Sequence, residues 1–331
     1  MKLPTNFTGR LFAVVAASIG LYSLLAITTG WDEFRQQITA FPLRFVPPLL
    51  LLSGLNYLLR FWRWELYLQA VDLQLSRRES LVIFFATFVM VITPGKLGEA
   101  FKAGILLEQH GLPLARGLPV ILAERILDFL AVFLLALGGF FWWRGTLLSL
   151  EMILVICGVV LALLGLLRSE RLWQLLLRRT ARAPLLARYK MGISESISTI
   201  RRLLAGRTLT LTLVLSLAAW AAECISLWIV CTASNTPISL VDSMFVYSSA
   251  TLAGSLTFLP GGLGGTELSL IGLLRLSDVP AEISVSIAFI VRLATLWLAV
   301  LIGLVVFLGG REMFLGGRPV PQPGDDDGTG C

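Results

Sequence analysis

The chain has 331 residues, 56% of them hydrophobic and 15% charged, with a net charge of +6 and a mean hydropathy of +0.82. A soluble globular domain is roughly 25% charged, so the composition excludes one and calls for an all-α integral membrane protein. One histidine, His110, and four cysteines without zinc or disulfide spacing give no reason to expect a metal site, a cofactor or a Ser-His-Asp triad.

Leu11 to Thr29 is an apolar run of spanning length behind Lys2 and Arg10. A signal peptide has a shorter apolar region, roughly 7–15 residues, so an uncleaved first span is expected, followed by Trp31, Asp32 and Glu33 outside. The second span runs near Phe45 to Tyr67 and carries Asn56, Arg60, Arg63 and Glu65, the arginines snorkelling to the inner interface. Leu81 to Thr93 and Leu97 to Leu107 flank a Pro94-Gly95 break. Each arm is about half the roughly 20 residues that a span requires, which predicts a re-entrant hairpin. Leu118 to Phe140 is a full span holding Glu124, Arg125 and Asp128, bounded by Trp142 and Trp143, and Leu147 to Leu167 is another, with Glu151 near its start.

Residues 168–207 carry ten basic residues, and Ile193, Ile197, Ile200 and Leu204 recur at helical spacing, a pattern for an amphipathic helix on an anionic inner leaflet or a solvated linker helix. Thr208 to Cys231 is a span with Glu223 inside it. Val241 to Leu259 and Leu263 to Leu276 flank a second break at Pro260-Gly261, and Ser284 to Leu308, with Arg292, is the last span. Residues 311–331 read as a disordered cytoplasmic tail.

With both termini cytoplasmic and both broken segments folded as hairpins, the inner segments hold seventeen basic residues against four outside, which satisfies the positive-inside rule. No nucleic-acid partner is called for, because the basic residues sit where they orient the chain and meet headgroups. The expected architecture is a single polytopic domain over residues 1–310. About six full transmembrane helices and two oppositely oriented re-entrant hairpins form an inverted repeat, with unit A at about 45–140, unit B at about 208–308, and a basic cytoplasmic linker at 168–207 between them. Pro94 to Pro260 is 166 residues and Arg125 to Arg292 is 167.

Each hairpin brings a helix amino terminus, with unpaired N–H groups and partial positive charge, to mid-depth. Glycines let a ligand approach the backbone, and such entries bind phosphate. The expected substrate site is therefore cationic and near the bilayer midplane. Its first hairpin supplies Pro94, Gly95, Lys96, Gly98, Glu99 and Lys102, the following span Glu124, Arg125 and Asp128, and the second half Glu223, Pro260, Gly261, Gly262, Gly264, Glu267 and Arg292. Local spacing offers Glu99–Lys102 and Arg125–Asp128 as pairs. Glu223 and Glu267 have no sequence-local partner and are read as proton carriers or as partners of Arg292.

The runs Thr93-Pro-Gly-Lys-Leu-Gly-Glu-Ala-Phe-Lys-Ala103, Ala123-Glu-Arg-Ile-Leu-Asp128, Leu259-Pro-Gly-Gly-Leu-Gly-Gly-Thr-Glu267 and Val291-Arg-Leu293 resemble the lysylphosphatidylglycerol synthase transmembrane-region family, also called flippase-like domain proteins. The resemblance covers about Leu11 to Leu308. It implies a multi-pass protein of a bacterial or archaeal inner membrane that handles anionic lipids. In the multiple-peptide-resistance-factor members this region flips aminoacylated phosphatidylglycerol made by a soluble synthase domain. Nothing after Leu308 here could form such a domain, so aminoacyl transfer is not expected. The leading reading is a translocator of an anionic lipid headgroup, aminoacylated or polyprenyl-linked. The competing readings are a membrane-embedded glycosyl or phosphoryl transferase using Asp32 and Glu33, and a scaffold for a lipid-synthesis enzyme.

Overall fold

The computed structural model describes residues 7–93, 98–141, 158, 165, 169, 171, 174, 175, 190–236 and 238–310. Among them the chain is helical, with no strand. Helices α1 (Phe7–Thr29), α2 (Trp31–Ala40) and α3 (Val46–Ala70) lead into α4 (Arg77–Ala86) and a 3-10 segment, Thr87–Ile92. Helices α5 (Phe101–His110) and α6 (Leu114–Phe140) follow. After the linker come α7 (Lys190–Leu203), α8 (Gly206–Ala233), α9 (Leu240–Leu256), a 3-10 turn at Pro260–Gly262, α10 (Gly265–Leu276) and α11 (Ala281–Arg292). A π segment at Leu293–Trp297 joins α11 to α12 (Leu298–Gly309).

Among the described residues four stretches are long and apolar enough to cross a membrane: Leu11–Thr29, Leu43–Ala70, Gly206–Ala233 and Ala281–Gly309. Helix α6 has 27 residues but carries charges along its length. The expected span at Leu147 to Leu167, Trp142 and Trp143, Glu151, most of the basic linker, the tail, and Pro94, Gly95 and Lys96 of the first break lie outside the described residues. One expectation is corrected at the amino end. Trp31, Asp32 and Glu33 are not loop but open α2, where the two carboxylates in the first turn offset the helix dipole. The break before α2 is Gly30 at φ 130°, with the Glu33 carboxylate folded over it so closely that no side chain would fit.

The two halves carry the same punctuation. Spans α3 and α8 both end on a left-handed residue, Asp72 at φ 61° and Asn235 at φ 55°, followed by a backbone bond back into the last turn: Leu73 N–H to Leu68 at 3.0 Å, Thr236 N–H to Cys231 at 3.0 Å. Helices α4 and α9 both open with reciprocal capping boxes, Ser76 with Glu79 and Ser239 with Asp242. Helices α5 and α10 stop at left-handed Gly111 and Asp278, and Pro113 and Pro280 then start α6 and α11. Corresponding positions lie 163 residues apart before the breaks and 167 after them, so the second broken segment is longer by about one helical turn.

The first arms differ in kind but not in reach. Ten α-helical plus six 3-10 residues in one and seventeen α-helical residues in the other both rise about 26 Å, because a 3-10 helix climbs faster per residue. The return arms, α5 and α10, have 10 and 12 residues and rise only about 15–18 Å, short of the roughly 30 Å hydrocarbon core.

Packing crosses between the halves. Helix α9 lies on α6, while α4 and Thr87–Ile92 lie on α12; α3 lies on α8, and each return arm leans on the span that follows it. One glycine permits each crossed contact. A Cβ at Gly139 would stand 2.5 Å from the Phe245 amide nitrogen, and one at Gly303 would stand 2.4 Å from that of Val89. Gly139→Ala and Gly303→Ala are each expected to lose about 1–3 kcal/mol, read as a lower melting temperature in detergent. Gly138→Ala, whose Cβ meets nothing within 4 Å, should be neutral or gain up to about 1 kcal/mol.

Helix α7 docks on α6, with Ile200, Leu203 and Leu204 buried in the same apolar core as α3 and α6. Ion pairs tether it at both ends: Arg116 to Glu195 at 2.6 Å, and Arg202 in a two-point contact with Asp72 at 2.8 and 3.0 Å. The guanidinium holds the Asp72 carboxyl below the ordinary carboxylate range. This exposed link is therefore complete at neutral pH and is lost only as pH falls through the lowered value.

Candidate functional site

Asp128 on α6 is the hub of the first charged cluster. Its carboxylate receives Arg63 from α3 at 2.6 Å, Arg60 at 3.3 Å, Arg125 at 3.0 Å and the Trp220 indole N–H from α8 at 3.2 Å. Arg63 is fully buried and also donates to Ser216 at 2.7 Å. It does not snorkel to an interface as the sequence reading had it: two helices hand it acceptors inside the bundle, so its charge is held there. Arg125 reaches past Asp128 to Glu99 at 3.1 Å. Lys102 pairs with Glu124 at 3.1 Å, its ammonium 4.8 Å from the Trp64 ring centre and 4.7 Å from that of Phe84.

The partners differ from the local guess of Glu99 with Lys102. Glu99 lies in a 3-10 turn over 98–100 that runs straight into α5, and the ion pairs it and Lys102 make are with Arg125 and Glu124 of the following helix. The Arg125–Asp128 pair is present as the spacing predicts. Four cations therefore face three carboxylates here. Four of their nitrogens, Arg60 Nε, Arg63 Nε and Nη2, and Arg125 Nε, are buried without an acceptor among the described residues.

The second cluster is smaller. Arg292, at the end of α11, donates from Nε to Glu267 at 2.7 Å and from Nη2 to the Gly261 carbonyl at 2.6 Å, so one side chain grips both the return arm and the tip of the second broken segment. Gly261, Gly262 and Gly264 all have positive φ, of 60°, 68° and 80°, the region that glycine enters without strain. Gly254 and Thr266 meet so closely behind this turn that a Cβ on Gly254 would overlap the threonine hydroxyl. In the first segment the Gly98 N–H bonds the Thr93 hydroxyl at 2.8 Å, drawing the two sides of the break together.

The 3-10 segment that precedes the first break, Thr87–Ile92, lies beside the turn at Pro260–Gly262. The clusters are joined through Asn56, Glu223 and two tyrosines, Tyr57 and Tyr247, that the sequence reading did not single out. Tyr57 donates to the Thr295 carbonyl at 2.6 Å, inside the π segment just after Arg292, and π segments interrupt the ordinary helical ladder and so offer such groups. Glu223 accepts from the Tyr247 hydroxyl at 3.2 Å. Asn56 donates to the Ala219 carbonyl at 2.8 Å, tying α3 to α8. An Asn and several Tyr in apolar spans were the available signal, since buried polar groups require partners.

Both first arms have side-chain caps, and neither return arm does: α5 begins at Ala100 and α10 at Gly264 without a side-chain hydrogen bond to their free amides. A separate open groove of about 760 Å³ lies between α9 and α10, lined by Ser249, Ala253, Ser269, Gly272 and Leu276 with Arg275.

The sequence model for the lysylphosphatidylglycerol synthase TM region matches residues 11–303, a stretch that contains every helix of both charged clusters. The chain belongs to this family. Among its relatives are two UPF0104 membrane proteins of Methanothermobacter thermautotrophicus. One is 28% identical over 63% of this chain and 66% of its own length, the other 25% identical over 91% and 93%. A UPF0104 membrane protein of Pyrococcus horikoshii is 20% identical over 92% of this chain and 98% of its own. Family membership and the four long apolar helices make this a multi-pass membrane protein.

Proposed function

We propose that this family member is a translocator that carries an anionic phospholipid or polyprenyl-linked headgroup across a cytoplasmic membrane, through a site between the two broken segments. One observation carries the reading: the spare guanidinium nitrogens of Arg60, Arg63 and Arg125. Buried donors require acceptors, and phosphate oxygens supply several at once in the geometry a guanidinium prefers. Arg63 and Asp128 act as the anchor, and Arg60 and Arg125, with side chains 19% and 24% exposed, present the charge. Uncapped amides of α5 and α10, with Lys102 and Arg292 behind them, complete a cationic lining.

In this reading the matched punctuation of the halves reflects an inverted repeat, with the broken segments entering as hairpins from opposite sides. Each hairpin leans on the other half's span, so rocking one half against the other exposes the site to each leaflet in turn. Asp32 and Glu33 have a structural explanation in the first turn of α2.

The test is reconstitution in liposomes with fluorescent phosphatidylglycerol, lysylphosphatidylglycerol and a polyprenyl phosphate. The wild type is expected to move at least one of them, and Arg125→Ala plus Arg292→Ala to abolish that movement while eluting as a folded species. Undiminished movement by the double variant would discard the site.

A further inference from the structure

Glu223 sits at the junction of the halves without a cation in ion-pair range. It is 4% exposed, and among the described residues its one hydrogen-bond partner is the Tyr247 hydroxyl. Charged groups surround it at longer range: Arg60 on α3 and Arg292 on α11 both act on it electrostatically. Tyr57 faces it from α3, Tyr247 from α9, and Cys224 is its neighbour on α8. From α6, Asp128 lies one turn away at Trp220. Every other carboxylate of the two clusters is in contact with a cation.

The charge count gives this position a meaning. Arg60, Arg63, Lys102, Arg125 and Arg292 supply five positive charges to the ion-paired groups, and Glu99, Glu124, Asp128 and Glu267 supply four negative ones. An ionised Glu223 balances the set among the described residues. A protonated Glu223 leaves one positive charge uncompensated, which one phosphodiester anion would neutralise. Net charge buried at membrane depth is costly, so proton and anion are favoured together or absent together.

We infer that Glu223 is a proton-binding site, and that one proton travels with each monoanionic headgroup as an electroneutral pair. The inference rests on the translocator reading above and names its coupling ion. The proton adds to a Glu223 carboxylate oxygen on the acidic side and leaves to water on the other; no bond in the lipid changes. The Tyr247 hydroxyl donates to the ionised carboxylate and turns to accept from the protonated one, next to Thr295 in the π segment.

The experiment uses the full chain in liposomes with fluorescent phosphatidylglycerol, under an imposed pH gradient or an imposed potassium-diffusion potential. For the wild type, the pH gradient is expected to drive net movement and the potential alone to have no effect. Glu223→Gln, permanently neutral, should lose the stimulation by the gradient, and Glu223→Asp, which can still take up a proton, should retain it. In parallel, infrared titration of the purified protein should show a protonated-carboxyl band that disappears on raising the pH and is missing from Glu223→Gln. Movement driven by potential and indifferent to the pH gradient, an unchanged gradient response in Glu223→Gln, or no titrating band assignable to Glu223 would each overturn the inference. If the wild type moves no lipid, the headgroup reading fails, and the infrared titration still decides whether Glu223 binds a proton.

Discussion

Asp128→Ala is expected to be the most damaging single substitution in the protein. It takes a carboxylate from three guanidinium groups, leaving Arg60 and Arg63 without an ion-pair partner among the described residues and Arg125 with Glu99 alone, and it removes the acceptor of the Trp220 N–H. Arginine cannot shed its charge, and breaking a buried ion pair from one side costs about 3–5 kcal/mol. Arg63 fares worst, since it is fully buried and keeps only Ser216. The variant should accumulate poorly and melt far below the wild type by size-exclusion fluorescence in detergent. Adding Arg63→Met, which fills a similar volume without charge, should recover part of the loss, because an ion pair replaced on both sides is often close to neutral. A melting temperature equal to that of the wild type in Asp128→Ala would show that the hub holds nothing together.

The second large effect concerns the Arg292–Glu267 pair, and its two sides are expected to differ. Glu267→Ala leaves a buried guanidinium 8% exposed with the Gly261 carbonyl as its sole remaining contact. Arg292→Met leaves a carboxylate, and a carboxylate can take up a proton and become neutral. The expected order of stability is wild type, then Arg292→Met, then Glu267→Ala, with the last losing about 3–5 kcal/mol. Melting curves check the order, and a reversal would mean that the carboxylate, not the arginine, carries the burden.

What the sequence made legible followed from local rules. Long apolar runs gave α1, α3, α8 and the α11–α12 span, and Pro260-Gly261 inside such a run gave the second break, because those patterns act over one helix. Helix α2 was missed because its ten residues, Trp31–Ala40, have mixed polarity and read as a loop. Pairing was legible only where it is local: Arg125 with Asp128 followed from spacing, while Arg63 with Asp128, 65 residues away, and Lys102 with Glu124, 22 away, depend on which helices meet. Arg63 looked like a snorkelling residue because nothing near it in sequence announces an acceptor. Tyr57 and Tyr247 were not singled out for the same reason.

The crossed packing of the broken segments on the spans bears on how the chain is made. The segment ending at Ile92 leans on α12, which begins at Leu298, some 200 residues later. At about 5–20 residues per second, a ribosome needs roughly 10–40 s to deliver that wall. Throughout the wait, a short, charged, proline-broken segment stands in or beside the insertion machinery with its permanent neighbour still unsynthesised, which makes the nascent chain a natural client for a membrane chaperone.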